Sequence, residues 1–75
     1  LTRIGAAEEL LRDLGFNQLR ARDHNTIARI ELPVGEFDKL LTPSIKQKIT
    51  TSLKALGYKY ITIDIEGFRS GSMNE

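Results

Sequence analysis

"LKALGYKYITIDI", residues 53–65, changes its periodicity halfway, and that change decides the fold. Up to Leu56 the apolar residues return at three- and four-residue spacing. Ile45, Ile49, Leu53 and Leu56 form one stripe of a helix over "TPSIKQKITTSLKALG", residues 42–57, with Thr42 as its cap and Pro43 in its first turn. From Tyr60 the spacing becomes two. Ile61, Ile63 and Ile65 fall on one face of a strand; Tyr60, Thr62, Asp64 and Glu66 fall on the other. Gly57 stops the helix, because glycine takes the left-handed conformation without a side-chain clash. Tyr58 follows as an aromatic plug between helix layer and sheet.

The same scheme appears earlier, in "LRDLGFNQLRARD", residues 11–23, with Gly15 as the stop and Phe16 as the plug. Two copies with different return paths do not make a repeat fold. They reflect one local need, a helix that must halt and turn back over a sheet. The helix before this copy covers "TRIGAAEELLRDLGF", with Ile4, Ala7, Leu11 and Leu14 as its stripe, widened by Leu10. After it, Leu19 and Ala21 alternate with Arg20 and Arg22 along a strand. "DHNT" reads as a turn. "TIARIEL" resumes the alternation, with Ala28, Ile30 and Leu32 on one face and Ile27, Arg29 and Glu31 on the other. Pro33 ends it. "VGEFDKLL" supplies one or two helical turns, with Phe37, Leu40 and Leu41 turned inward.

The order is therefore α-β-β-α-α-β. It predicts a small two-layer α+β domain over residues 1–66, with a three-stranded, mainly antiparallel sheet and the helices packed on one face. A right-handed final crossover would seat the third strand beside the first, leaving "QLRARD" central. Residues 67–75, "GFRSGSMNE", read as a flexible C-terminal tail.

Composition narrows the function. The 75 residues hold one core and carry a net charge of +1, so no global field draws the chain to nucleic acid or to an anionic membrane. No basic stripe interleaves with exposed aromatics, as nucleic-acid binding would ask. With no cysteine and a single histidine, His24, there is no disulfide framework, thiolate site or cysteine nucleophile. No apolar run approaches the roughly 20 residues that span a bilayer. Ser70 and Ser72 lack a nucleophile elbow. Asp64 and Glu66 form a two-apart carboxylate pair with no third ligand in range. A start at Leu1 rather than Met, already inside a helical pattern, reads as a piece of a longer protein.

The outer sheet face holds Arg20, Arg22, Arg29, Glu31, Tyr60, Thr62, Asp64 and Glu66, with His24 at the hairpin tip. Two readings are open. The face is solvated, with cross-strand ion pairs of small worth. Alternatively Arg20 and Arg22, two apart on one strand, aim their guanidinium forks together at a phosphate, joined by Arg29.

"AEELLRDLGF", "LRARDHNTIARIEL" and above all "YITIDIEGFRSGSMN" resemble the C-terminal region of the ATP-dependent sacrificial sulfur transferase family, LarE, of the PP-loop ATP pyrophosphatase superfamily. The most specific part is Asp64-x-Glu66-Gly67-aromatic-Arg69-x-Gly71-Ser72-x-Asn74, where Phe68 is the aromatic. The second is Arg20-x-Arg22 followed by His24 and by Ala28-Arg29-Ile30-Glu31. Asn25 stands where a glycine is common in the family's turn. The resemblance implies a parent enzyme of nickel-pincer nucleotide biosynthesis. Such an enzyme adenylylates a carboxylate of a pyridinium mononucleotide with ATP and magnesium, then passes sulfur to the activated carbon. It also implies that Arg20 and Arg22 contact the substrate phosphate. His24, Arg29 and Arg69 are candidates for additional contacts, and no residue here is expected to be catalytic or to bind a metal. The ATP loop and the donor cysteine are absent, so the fragment alone is expected to be no enzyme and to hold no cofactor. Its expected partners are an N-terminal PP-loop domain of the same chain, the pyridinium mononucleotide and further subunits of a homo-oligomer. The expected setting is the cytoplasm, without nucleic acid or membrane. The competing reading is a non-catalytic oligomerisation or binding module of a PP-loop ATPase acting on another substrate.

Overall fold

The computed structural model of the chain describes residues 2–69. Helix α1, Arg3–Asp13, starts at Thr2, whose hydroxyl accepts the Gly5 N–H. Strands β1, Arg20–His24, and β2, Ile27–Glu31, form the hairpin. A single 3-10 turn, Val34–Glu36, leads into the four-residue helix α2, Phe37–Leu40. Helix α3, Pro43–Ala55, and strand β3, Tyr60–Ile63, complete the α-β-β-α-α-β order. Thr42 stands at the α3 N-cap position, but its hydroxyl donates to the Asp38 carbonyl and caps nothing.

Both helix stops have one construction. The Phe16 N–H reaches back to the Leu11 carbonyl at 3.1 Å, and the Gly15 N–H to Arg12 at 3.0 Å. The second helix repeats this, with Tyr58 to Leu53 at 3.3 Å and Gly57 to Lys54 at 2.9 Å. This is the Schellman pattern, and it needs a positive φ at the glycine; Gly15 has +101° and Gly57 +109°. Each stop drops its aromatic into the core, Phe16 at 0% and Tyr58 at 2% exposure. A cation covers each ring: the Lys39 ammonium lies 4.5 Å from the Phe16 centroid and the Arg3 guanidinium 4.0 Å from that of Tyr58.

The core lies between the helices and one sheet face. Ala7 and Leu11 of α1, Ile49 and Leu53 of α3, and Ala28 and Ile30 of β2 are buried there, with Leu40 from α2. Two inward assignments fail. Leu41 is 51% exposed, because it follows the last turn of α2 and points past the core. Ile65 is 83% exposed, because β3 ends at Ile63 and the chain turns over Asp64, whose carboxylate accepts the Glu66 N–H.

The strand order also differs from the sequence expectation. It is β1-β2-β3, with β2 central and not "QLRARD". β1 and β2 pair antiparallel; β2 and β3 pair parallel, so the sheet is mixed. The α2–α3 segment supplies the crossover that a parallel pair requires. The composition accounts for the choice. β2 carries Ala28 and Ile30, both fully buried, whereas β1 alternates charged residues that suit an edge. The outer side of β1 is covered where Glu8 of α1 accepts the Ala21 N–H at 2.9 Å.

Beyond β3 the chain returns to the end of β2. The Phe68 N–H donates to the Leu32 carbonyl at 2.7 Å, and Gly67 is buried against Leu32 and Val34. The rest of the segment read as a tail, 70–75, lies outside the described residues.

Candidate anion-binding face

Strand alternation places every outer residue by register. Arg20 lies opposite Glu31, Arg22 opposite Arg29 and His24 opposite Ile27. On the far side of β2, Arg29 faces Thr62 and Ile27 faces Tyr60. The three arginines therefore gather at one end of a single sheet face, with His24, Ile27 and Tyr60 forming the next row.

Glu31 organises them. It is 4% exposed, the one buried charged residue among those described. A carboxylate out of water costs several kcal/mol unless partnered, roughly. Here the Arg22 Nε donates to Glu31 Oε2 at 3.0 Å, and an Arg29 Nη donates to the same oxygen at 3.1 Å. Arg22 and Arg29 are themselves largely covered, at 18% and 29% side-chain exposure. Arg20 is the exposed member and makes no ion pair or side-chain hydrogen bond with a described residue. The Arg29 Nε is buried and has no hydrogen-bond partner among the described residues.

His24 is exposed at the hairpin end. Arg69 follows β3 and pairs with Glu66 at 3.2 Å. Asp64 is engaged by the Glu66 backbone, so these two acids do not converge. No three His, Cys, Asp or Glu side chains among the described residues come together as a metal site would need.

Sequence reading missed a second cluster at the opposite, helix-side surface. Asp23 accepts from the Arg3 fork at 2.9 and 3.0 Å, from the Tyr58 hydroxyl at 2.9 Å and from the Asn25 N–H at 2.8 Å. The signal was present, since Asp23 shares its alternation with Leu19 and Ala21 and so faces inward. The Tyr58 hydroxyl, then Arg3, then the Asn25 N–H hold the Asp23 carboxyl below its usual range. Burial first, then the bond to Asp23, pushes the Tyr58 hydroxyl up. The turn that presents this acid places Asn25 at φ +65°, a left-handed conformation that asparagine tolerates.

No family model matches the chain. It is 44% identical over all 75 residues to the pyridinium-3,5-bisthiocarboxylic acid mononucleotide synthase of Lactiplantibacillus plantarum, of which it covers 26%. It is 38% identical over 74 residues to an uncharacterized protein of Synechocystis, covering 28% of that chain. The chain thus spans about a quarter of the length of the curated relatives it matches.

Proposed function

We propose, for a chain related to a LarE sulfur transferase along its whole length, that it is the C-terminal domain of an enzyme of that kind. The parent enzyme inserts sulfur into an adenylylated carboxylate of a pyridinium mononucleotide. This domain supplies contacts to the substrate phosphate and to neighbouring subunits. The ATP site, with its magnesium, belongs to an N-terminal PP-loop domain, and the 75-residue chain by itself performs no chemistry. The setting is the cytoplasm, with no part for nucleic acid or membrane; no described helix is long and apolar enough to cross a bilayer.

One observation carries the reading: Arg20, Arg22 and Arg29 gather on one sheet face, two of them bonded to the buried Glu31 carboxylate and Arg20 exposed directly opposite it. A phosphate presents several strong acceptors, and guanidinium forks match them in geometry as well as charge. Held there, the nucleotide would be fixed at its phosphate end while the carboxylate to be modified reached the chemistry elsewhere. His24 lies one row further along the same face, within the span of a nucleotide.

The test is a titration followed by NMR, with inorganic phosphate and then a pyridine mononucleotide. Saturable shifts should be confined to Arg20, Arg22, Arg29 and their neighbours. Arg20→Ala should weaken binding about tenfold or more, as expected for a charged hydrogen bond worth roughly 1.5–3 kcal/mol.

A second reading, a non-catalytic assembly module, draws on the exposed apolar side chains. Tyr60 is 61% and Leu41 51% exposed. Leu41 borders an apolar groove between α2, α3 and β3 lined by Ile49, Ile61 and Ile63. Under that reading millimolar phosphate leaves the arginine signals unmoved, and the Arg20→Ala variant matches the parent in every titration.

A further inference from the structure

We propose that Glu31 is a positioning residue for the anion site. Its buried carboxylate sets the orientation of Arg22 and Arg29, so that a phosphate meets guanidinium groups already held in place. The inference rests on the reading of this face as a phosphate site and names what organises it.

Simple charge neutralisation does not explain the geometry. An exposed acid would neutralise an arginine without any loss of hydration, yet Glu31 is 4% exposed. Arg20 stands directly opposite Glu31 in the ladder. Glu31 nevertheless leaves it alone, and a single oxygen, Oε2, takes donors from Arg22 and Arg29. Glu31 engages Arg22 through Nε, which fixes the plane of that guanidinium. Arg29 turns one Nη onto Glu31 while its own Nε stays buried without a hydrogen bond among the described residues. An orphaned donor is costly. The Arg29 orientation therefore follows the carboxylate and does not maximise the arginine's own hydrogen bonds. The outcome is two oriented guanidinium groups beside Arg20, which is exposed and engaged by no described side chain; that suits capture of an anion by Arg20 next to groups already held in place.

Glu31→Gln separates the two roles because they predict opposite signs. The variant keeps the shape and one acceptor oxygen but removes the charge that makes both bonds strong. If Glu31 only offsets positive charge, its loss makes the face more positive and phosphate binds more tightly. If it positions the forks, phosphate binds about fivefold more weakly or worse, although a negative charge has gone. The Nε–H signal of Arg22 should lose its protection from exchange in the same variant, with the backbone amide spectrum otherwise retained. Arg29→Lys provides a second measure, since it keeps the charge and the reach but has no fork. It too should weaken phosphate binding.

Equal or tighter binding in Glu31→Gln, or unchanged binding in Arg29→Lys, overturns the positioning role and leaves the phosphate site standing. Absence of saturable phosphate binding in the unsubstituted chain removes the site and the positioning role together. Weaker binding in both variants, with loss of Arg22 protection, establishes the role.

Discussion

Asp23 shows how much one side chain can tie together. It joins α1 through Arg3, the second helix stop through Tyr58 and the hairpin turn through Asn25. Its carboxyl is held below its usual value, so it contributes stability that is present above about pH 4 and is lost as pH falls through the lower folded value. Asp23→Asn should therefore be less stable than the parent at pH 7, and the gap should narrow at pH 3, read from urea midpoints. A gap of equal size at both pH values would mean that charge plays no part in the cluster. Tyr58 works at the other end of the scale. Its hydroxyl is pushed above about 10, so the stability it contributes is present below pH 10 and is lost as pH rises through the folded value. Tyr58→Phe should show a shallower loss of stability in alkali, because it has no proton to give up.

At the scale of the element, the return of the chain after β3 depends on Gly67. It has φ +88°, and a Cβ there would lie 3.0 Å from Val34 Cγ2 and 3.1 Å from the Leu32 carbonyl. The left-handed conformation alone costs a non-glycine residue about 1–2 kcal/mol. The carbonyl belongs to the backbone and gives way poorly. Gly67→Ala should lower stability by more than that amount in urea unfolding, and it should weaken protection of the Phe68 amide in hydrogen exchange. Its neighbourhood also explains a limit of alternation as a guide. Ile65 continues the two-residue rhythm of Ile61 and Ile63, yet the strand has already ended, because Asp64 closes a turn on the Glu66 N–H. Periodicity reports which face a residue would take within a strand and carries no mark of where pairing stops.

For the molecule as a whole, one small core must carry everything. Domains of this size are stable by only about 3–5 kcal/mol. Leu53 is fully buried, and its carbonyl accepts the Tyr58 N–H that completes the second helix stop. Removing a buried leucine side chain costs about 2–5 kcal/mol. Leu53→Ala should consequently leave a large unfolded population at 25 °C, seen as collapse of amide dispersion in the NMR spectrum. Leu41→Ala, at a half-exposed position, should leave the spectrum dispersed.

The sequence by itself determined the helices and their stops, the three strands, their inward and outward faces apart from Leu41 and Ile65, and the gathering of Arg20, Arg22 and Arg29 on one surface. Each of these is local: periodicity, a glycine with positive φ, and the two-residue alternation act within a few positions of the chain. Only the tertiary structure decided that β2 is central and parallel to β3, because that depends on which strand buries more apolar surface beneath the α2–α3 crossover. The same holds for Glu31. The chain shows an acid near arginines, but its burial and its choice of Arg22 and Arg29 over the facing Arg20 arise from side chains on two strands packing together. Asp23 lies between the two cases: its inward face was legible, while Arg3 and Tyr58, distant along the chain, meet it only after the helices have closed over the sheet.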